Sequence, residues 1–158
     1  MEIKPIISVI MGIYNERDRS RVMKAVESIL DQTYDKFEFI ICDDGSEQEF
    51  YDWLKQYCKK DTRIRLLRKT QNGGLAAALN ACLAEAKGDY VARMDADDLS
   101  KPDRFERQLD FLTAHPEYAL TGCGAELIDG EGIWGRGFRQ KHRRKAIFCG
   151  TPPLFILR

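Results

Sequence analysis

Short apolar runs alternate along the chain with longer stretches whose apolar residues recur at helical spacing. Residues 6–13 (IISVIMGI) form a nearly unbroken apolar run rich in β-branched side chains, the pattern of a strand covered on both faces. Over residues 20–32, Val22, Ala25, Val26, Ile29 and Leu30 share one helical face, with Ser20 as the predicted N-cap. Residues 37–42 (FEFIIC) predict a second strand, 47–60 a second helix and 64–67 a short third strand. After the turn Gln71-Asn72-Gly73-Gly74, residues 75–86 (LAAALNACLAEA) are helical and stop at Lys87-Gly88. Residues 90–94 predict a fourth strand, and Pro102 opens another helix that runs to about residue 114. A further strand at 118–123 and a hairpin across Asp129-Gly130-Glu131-Gly132 follow. Residues 149–158 read as one more strand.

Strands that alternate with helices in this way imply βαβ units and a mostly parallel, Rossmann-like sheet flanked by helices. In such a sheet a ligand lies beyond the carboxyl ends of the strands. The polar clusters fall at those ends: Tyr14-Asn15-Glu16 after the first strand, Asp43-Asp44 after the second, and Asp95, Asp97 and Asp98 after the fourth. Carboxylates crowded as they are over residues 95–98 stay ionised together only with a cation or donors among them. Oxygen-only ligation suits Mg²⁺ or Mn²⁺, which takes one or two carboxylates and leaves other positions to water and phosphates. The expected site is therefore a metal–diphosphate site; the bland alternative is a solvated acidic turn.

Composition narrows the partners. The 158 residues suffice for one domain with a core, and 44% hydrophobic with 32% charged residues is ordinary for a globular chain. Lys plus Arg and Asp plus Glu are each 25, so no overall field points to nucleic acid. Residues 136–145 are locally basic and leave room for peripheral contact with acidic lipid heads, although a solvated face explains them as well. Five scattered cysteines without a CxxC pair read as small core residues in a reducing compartment. The first residues lack a basic leader, and no apolar run approaches the roughly 20 residues that span a bilayer. A cytoplasmic protein, at most touching the inner face of the membrane, is the expectation.

Neither GxGxxG nor GxxxxGK[ST] occurs, so a nucleotide must be held by other means. Asp43 or Asp44 would suit a base, Asp95 a ribose and Asp97 the metal, while Arg93 either offsets diphosphate charge or pairs with the neighbouring aspartates.

The segments SVIMGIYNE, ICDDGS, NGGLAAALN and ARMDADDLSKPDRF resemble, in order and at compatible spacing, the successive motifs of the family 2 glycosyltransferases. The resemblance covers about residues 5–124. It implies the GT-A fold, an inverting transfer from a nucleotide-sugar donor, and Mg²⁺ or Mn²⁺ held by a DxD motif, here Asp95-Ala96-Asp97. It also implies nucleotide contacts from Ile13, Tyr14, Asn15, Glu16 and Asp43, with Asp44 and the helix bearing Asn80 shaping the same pocket. A UDP-sugar is the favoured donor, a glycan or lipid-linked molecule the acceptor, and bacterial surface polysaccharide synthesis the setting.

In that family the general base lies on a helix well beyond the DxD motif, and no matching motif follows here. Glu126 and Asp129 are the nearest substitutes, and a polar hairpin explains them better. Family members continue for about as much chain again. The expectation is a nucleotide-sugar-binding core at 1–124 and the incomplete start of an acceptor-side region at 125–158, the chain being truncated. Trp134, Phe138, Phe148, Leu154, Phe155 and Ile156 would then lack partners, and self-association to a homo-oligomer would follow. The alternative is a module that binds nucleoside diphosphate and metal without transfer. A receiver-like domain would need paired acids after the first strand, and a nucleotidyltransferase a Gly-rich basic loop there; neither is present.

Overall fold

A computed structural model describes residues 7–124, 126–129, 132–136 and 156–157; beyond residue 124 only the backbone of the strands and the side chain of Glu126 are described. The elements run β1 (Ile7–Ile13), α1 (Arg19–Leu30), β2 (Phe37–Asp43), α2 (Gln48–Cys58), β3 (Ile64–Arg68), α3 (Leu75–Glu85), β4 (Tyr90–Arg93), α4 (Arg104–Ala114), β5 (Leu120–Thr121), β6 (Glu126–Asp129), β7 (Gly132–Arg136) and β8 (Ile156–Leu157). The main sheet has the order β3-β2-β1-β4-β8-β5. Its first four strands are parallel, and β8 runs antiparallel to both β4 and β5. Strands β6 and β7 form the separate antiparallel hairpin that the turn residues predict.

The apolar runs of β1 and β2 are buried on both faces because each strand feeds two cores. Ile7, Val9, Met11 and Ile13 of β1 and Phe37, Phe39 and Ile41 of β2 join the larger cluster with α1, α2 and α4 residues such as Val22, Leu54, Phe105 and Leu112. Ile10, Ile40 and Cys42 point the other way, against Ala78 and Cys82 of α3. Helix α3 lies so close that a Cβ on Gly12 would stand 3.0 Å from Leu75 and 3.1 Å from Ala78. Cys42, Cys58 and Cys82 are buried and free, as small core residues should be.

Several element ends differ from the sequence reading. Helix α1 begins at Arg19, capped by Asp18, whose carboxylate accepts from the Arg21 N–H, and not by Ser20. Helix α4 begins at Arg104; Pro102 and Asp103 make the turn before it. The strand expected at 118–123 shrinks to Leu120–Thr121. Of the C-terminal run only Ile156–Leu157 is described, and the side chains of Trp134, Phe138, Phe148, Leu154 and Phe155 lie outside the described residues.

Candidate functional site

The register of the parallel strands brings the polar loops to one edge. Ile13 pairs with Asp43 and Ile10 with Arg93, so the segments after β1, β2 and β4 leave the same end of the sheet. Ile13 itself is buried, and its carbonyl accepts from the Asp44 N–H at 2.8 Å. Tyr14 stands 51% exposed at this edge. Asn15 has a φ of 42°, and it stitches two loops: its N–H donates to Ser46 Oγ at 2.9 Å, and its Oδ1 accepts from the Glu47 N–H at 2.9 Å. Because Glu47 is the N-cap of α2, Asn15 also fixes where that helix starts. The Glu16 carboxylate accepts from the Asp18 N–H at 3.0 Å.

Asp43 and Asp44 do different things. Pleat alternation sends them to opposite faces of the sheet edge. Asp44 turns toward α3, taking Lys69 Nζ at 2.6 Å and the N–H groups of Gly73 and Gly74 at 3.1 Å and 2.7 Å. Gly74 caps α3, so this carboxylate sits at a helix N-terminus. Burial opposes its ionisation, but the Lys69 ammonium and the two N–H donors outweigh burial and hold the carboxyl below the usual range. Asp43 is fully buried, and neither carboxylate oxygen has a hydrogen-bond partner. Among the described residues its ion-pair contact is Arg68 Nε at 3.6 Å, and that guanidinium lies 3.9 Å from the Tyr51 ring centroid. An orphan carboxylate at zero exposure is costly unless something donates to it.

The turn after β4 carries the other charges. Arg93 grips Asp95 with Nε to Oδ1 at 3.0 Å and Nη2 to Oδ2 at 2.9 Å. Ala96 packs on the larger core. Asp97 is exposed and makes no hydrogen bond or ion pair among the described residues. Burial, then the charges of Asp97 and Asp95, push the half-buried Asp98 carboxyl above the ordinary range, while Arg93 and Arg104 oppose the shift. Arg104 is 4% exposed, and its Nε and Nη2 lack acceptors; burial brings it down to about 10. Asn80 and Arg93 are the polar residues lining a groove of about 240 Å³ among Ile10, Ala76, Leu79, Leu83 and Val91. Asn80 thus shares that groove with Arg93.

Three or more side chains of metal-binding type do not converge among the described residues. The donor set still fits a hard divalent ion that keeps water and phosphate ligands, since Asp97 is unengaged and the cluster carries uncompensated negative charge. Glu126 is tied to Lys101 Nζ at 2.8 Å, and the side chain of Asp129 lies outside the described residues.

Sequence reasoning missed Ser46, Arg68, Gln32 and Arg104. Gln32 is buried and straps the acidic loop to α1: its Nε2 donates to the Lys101 carbonyl at 2.8 Å, and its Oε1 accepts from the Phe105 N–H at 3.1 Å. Ser46 and Arg104 stand inside segments that carry the family resemblance; Arg68 and Gln32 give no signal in one sequence.

This arrangement, a doubly covered parallel sheet with carboxylates gathered from three loops at one edge, is that of a GT-A glycosyltransferase. The glycosyl transferase family 2 model matches residues 8–154, and the chain belongs to that family. It is 45% identical over 151 residues, 94% of its length and 53% of the relative's, to EpsE of Bacillus subtilis (strain 168), which is named as a glycosyltransferase. It is 41% identical to TuaG of the same organism, named as a teichuronic acid biosynthesis glycosyltransferase, over 80% of this chain and 50% of that one. The mannosyltransferase PcManGT from Pyrobaculum calidifontis, solved with GDP-Man and Mn²⁺, superposes with a TM-score of 0.67 at 27% identity, covering 76% of this chain and 35% of that one. The chain spans about half the length of the curated relatives it matches.

Proposed function

We propose that this chain is the donor-binding part of an inverting, metal-dependent glycosyltransferase that builds bacterial surface polysaccharide. Residues 1–124 form the nucleotide-sugar core, and 125–158 open an acceptor-side region. The observation that carries the reading is Asp43: a buried carboxylate whose two oxygens accept no hydrogen bond, with Arg68 Nε 3.6 Å away, level with the loop that bears Asp97. A base imide N–H is a donor of the right kind for it. Uracil and guanine both present one, so UDP-sugars come first for test and GDP-sugars second, in view of the GDP-Man complex of PcManGT.

In this mechanism Tyr14 flanks the base at the exposed edge, and Asn15 and Glu16 hold the loop that carries it. Arg93 fixes the Asp95 carboxylate toward the ribose side. Asp97, with Asp95, would hold Mg²⁺ or Mn²⁺; when bound, the ion offsets the charge that gathers on the departing diphosphate. An acceptor hydroxyl, on a glycan or a lipid-linked molecule, attacks the anomeric carbon from the opposite face and gives its proton to a carboxylate base. The reaction belongs in the cytoplasm or at the inner face of the membrane, where cell fractionation can look for it.

Calorimetry with UDP, GDP and dTDP, with and without Mn²⁺, tests the reading. One nucleotide binds only with metal, and Asp97→Ala abolishes the binding while melting stays unchanged. Binding that ignores both the metal and Asp97 would overturn it. The second reading is a module that binds nucleoside diphosphate and metal without transfer. Transfer of radiolabelled sugar to an acceptor separates the two.

A further inference from the structure

The loops after β1 and β2 stay joined beyond the end of the sheet. The last ladder step sets Ile13 beside Asp43, and the Asp44 N–H then donates to the Ile13 carbonyl at 2.8 Å. Past that point side chains make the links. Asn15 has a φ of 42°, a positive value that is uncommon outside glycine and best tolerated by Asn and Asp. Its N–H donates to Ser46 Oγ at 2.9 Å, and its Oδ1 accepts from the Glu47 N–H at 2.9 Å. Ser46, buried at 5% exposure, carries the link onward. Its carbonyl accepts from Arg68 Nη2 at 3.4 Å, and Gln48 Oε1 accepts from Arg68 Nη1 at 2.8 Å. The same guanidinium has Nε 3.6 Å from Asp43 Oδ2 and lies over the Tyr51 ring. A continuous run of contacts thus leads from Asn15 through Ser46 and Arg68 to Asp43.

Resting on the donor-site reading above, we infer that Asn15 and Ser46 are positioning residues for the base pocket, and that Asn15 is not the nucleotide contact which the family resemblance implies. The Asn15 N–H and Oδ1 are both engaged by the neighbouring loop. This clasp holds the loop of Tyr14 against Asp43, and it fixes the segment that supplies Arg68 with its acceptors. Without the clasp both sides of the pocket still exist but no longer keep one arrangement. Affinity then falls with the fraction of molecules in which they are aligned. The diphosphate end of the ligand, at the turn after β4, does not depend on the clasp.

Two substitutions at one position separate positioning from contact. Asn15→Gly takes the positive φ freely but has no side-chain acceptor. Asn15→Asp tolerates the same backbone and keeps the acceptor, while it loses the amide donor that a direct contact to the nucleotide would use. UDP and GDP binding in Mn²⁺ is measured by calorimetry on the full chain and its variants, well below their melting temperatures. Asn15→Gly and Ser46→Ala each weaken the nucleotide that the parent binds about tenfold, the scale of one lost hydrogen bond. Asn15→Asp rescues binding to within about twofold, since Asn and Asp are near equivalents as acceptors at a helix start. The double variant Asn15→Gly/Ser46→Ala is no weaker than the weaker single one, because both substitutions open the same clasp. In competition, the matching nucleoside loses affinity in step with the nucleotide, while pyrophosphate with Mn²⁺ competes as it does in the parent. Parent-like binding in Asn15→Gly, a loss in Asn15→Asp as large as that in Asn15→Gly, multiplicative losses in the double variant, or an equal loss for pyrophosphate would each overturn the inference and leave the donor-site reading standing. Should the double variant not fold, the single variants and the pyrophosphate competition decide. A parent chain that binds neither nucleotide ends the donor-site reading, and this inference with it.

Discussion

Asp43 and Asp44 are neighbours in the chain and opposites in the fold. Asp44 has spent its acceptors on Lys69, Gly73 and Gly74, so it fixes where α3 begins. Asp44→Ala should destabilise the chain by about 3 kcal/mol in urea unfolding, the scale of a buried charge-assisted cluster. The sign of its pH effect follows from a depressed carboxyl in the folded state. Its contribution is complete above the unfolded carboxyl range near about pH 4 and is lost as pH falls through the lower folded value. The acid limb of the stability profile therefore flattens in the Ala variant. Asp43 is the reverse case, since its oxygens lack hydrogen-bond donors. Asp43→Asn should leave stability within about 1 kcal/mol, because it removes a buried charge, yet weaken nucleotide binding at least about tenfold by calorimetry. Both residues are legible as acids at a strand end. Which one lacks hydrogen-bond donors is not, because a side chain's partners come from α3 and β3, distant in sequence.

At the scale of elements, helical spacing located α1, α2 and α3, and the apolar runs located β1, β2 and β4. The ends were less legible, since capping residues compete locally: Asp18 and Ser20 both suit an N-cap, and only the path of the chain out of β1 selects Asp18. The links between elements were not legible at all. Gln32, at the end of α1, holds the loop before α4, and Gln32→Ala should cost about 2 kcal/mol in urea unfolding while lowering Mn²⁺ uptake, since the acidic turn loses an anchor. Gly45 has a φ of 78°, and a Cβ there would stand 2.7 Å from the Gln71 carbonyl carbon. Gly45→Ala should cost at least about 2 kcal/mol by thermal melting and pull the 71–74 loop away from Asp44.

Among the described residues, β1 and β2 are the most deeply covered elements, and their amides should exchange slowest by mass spectrometry. Fast exchange of residues 7–13 relative to α3 would contradict the two-sided core. No helix among the described residues is long and apolar enough to cross a membrane.

The local pattern of the chain was enough for its class: two-sided apolar runs, intervening helices and acids at strand ends specify a parallel α/β sheet and the edge where a ligand belongs. Those features are short-range, written in neighbouring residues and in periods of two and 3.6. The division of labour among the acids was decided by the tertiary structure. Asp44 is committed to α3 and Asp95 to Arg93, while Asp43 has Arg68 nearby but accepts no hydrogen bond, and Asp97 makes neither a hydrogen bond nor an ion pair among the described residues. Which carboxylate stays available depends on who reaches it first in space, and no stretch of sequence around an aspartate records that.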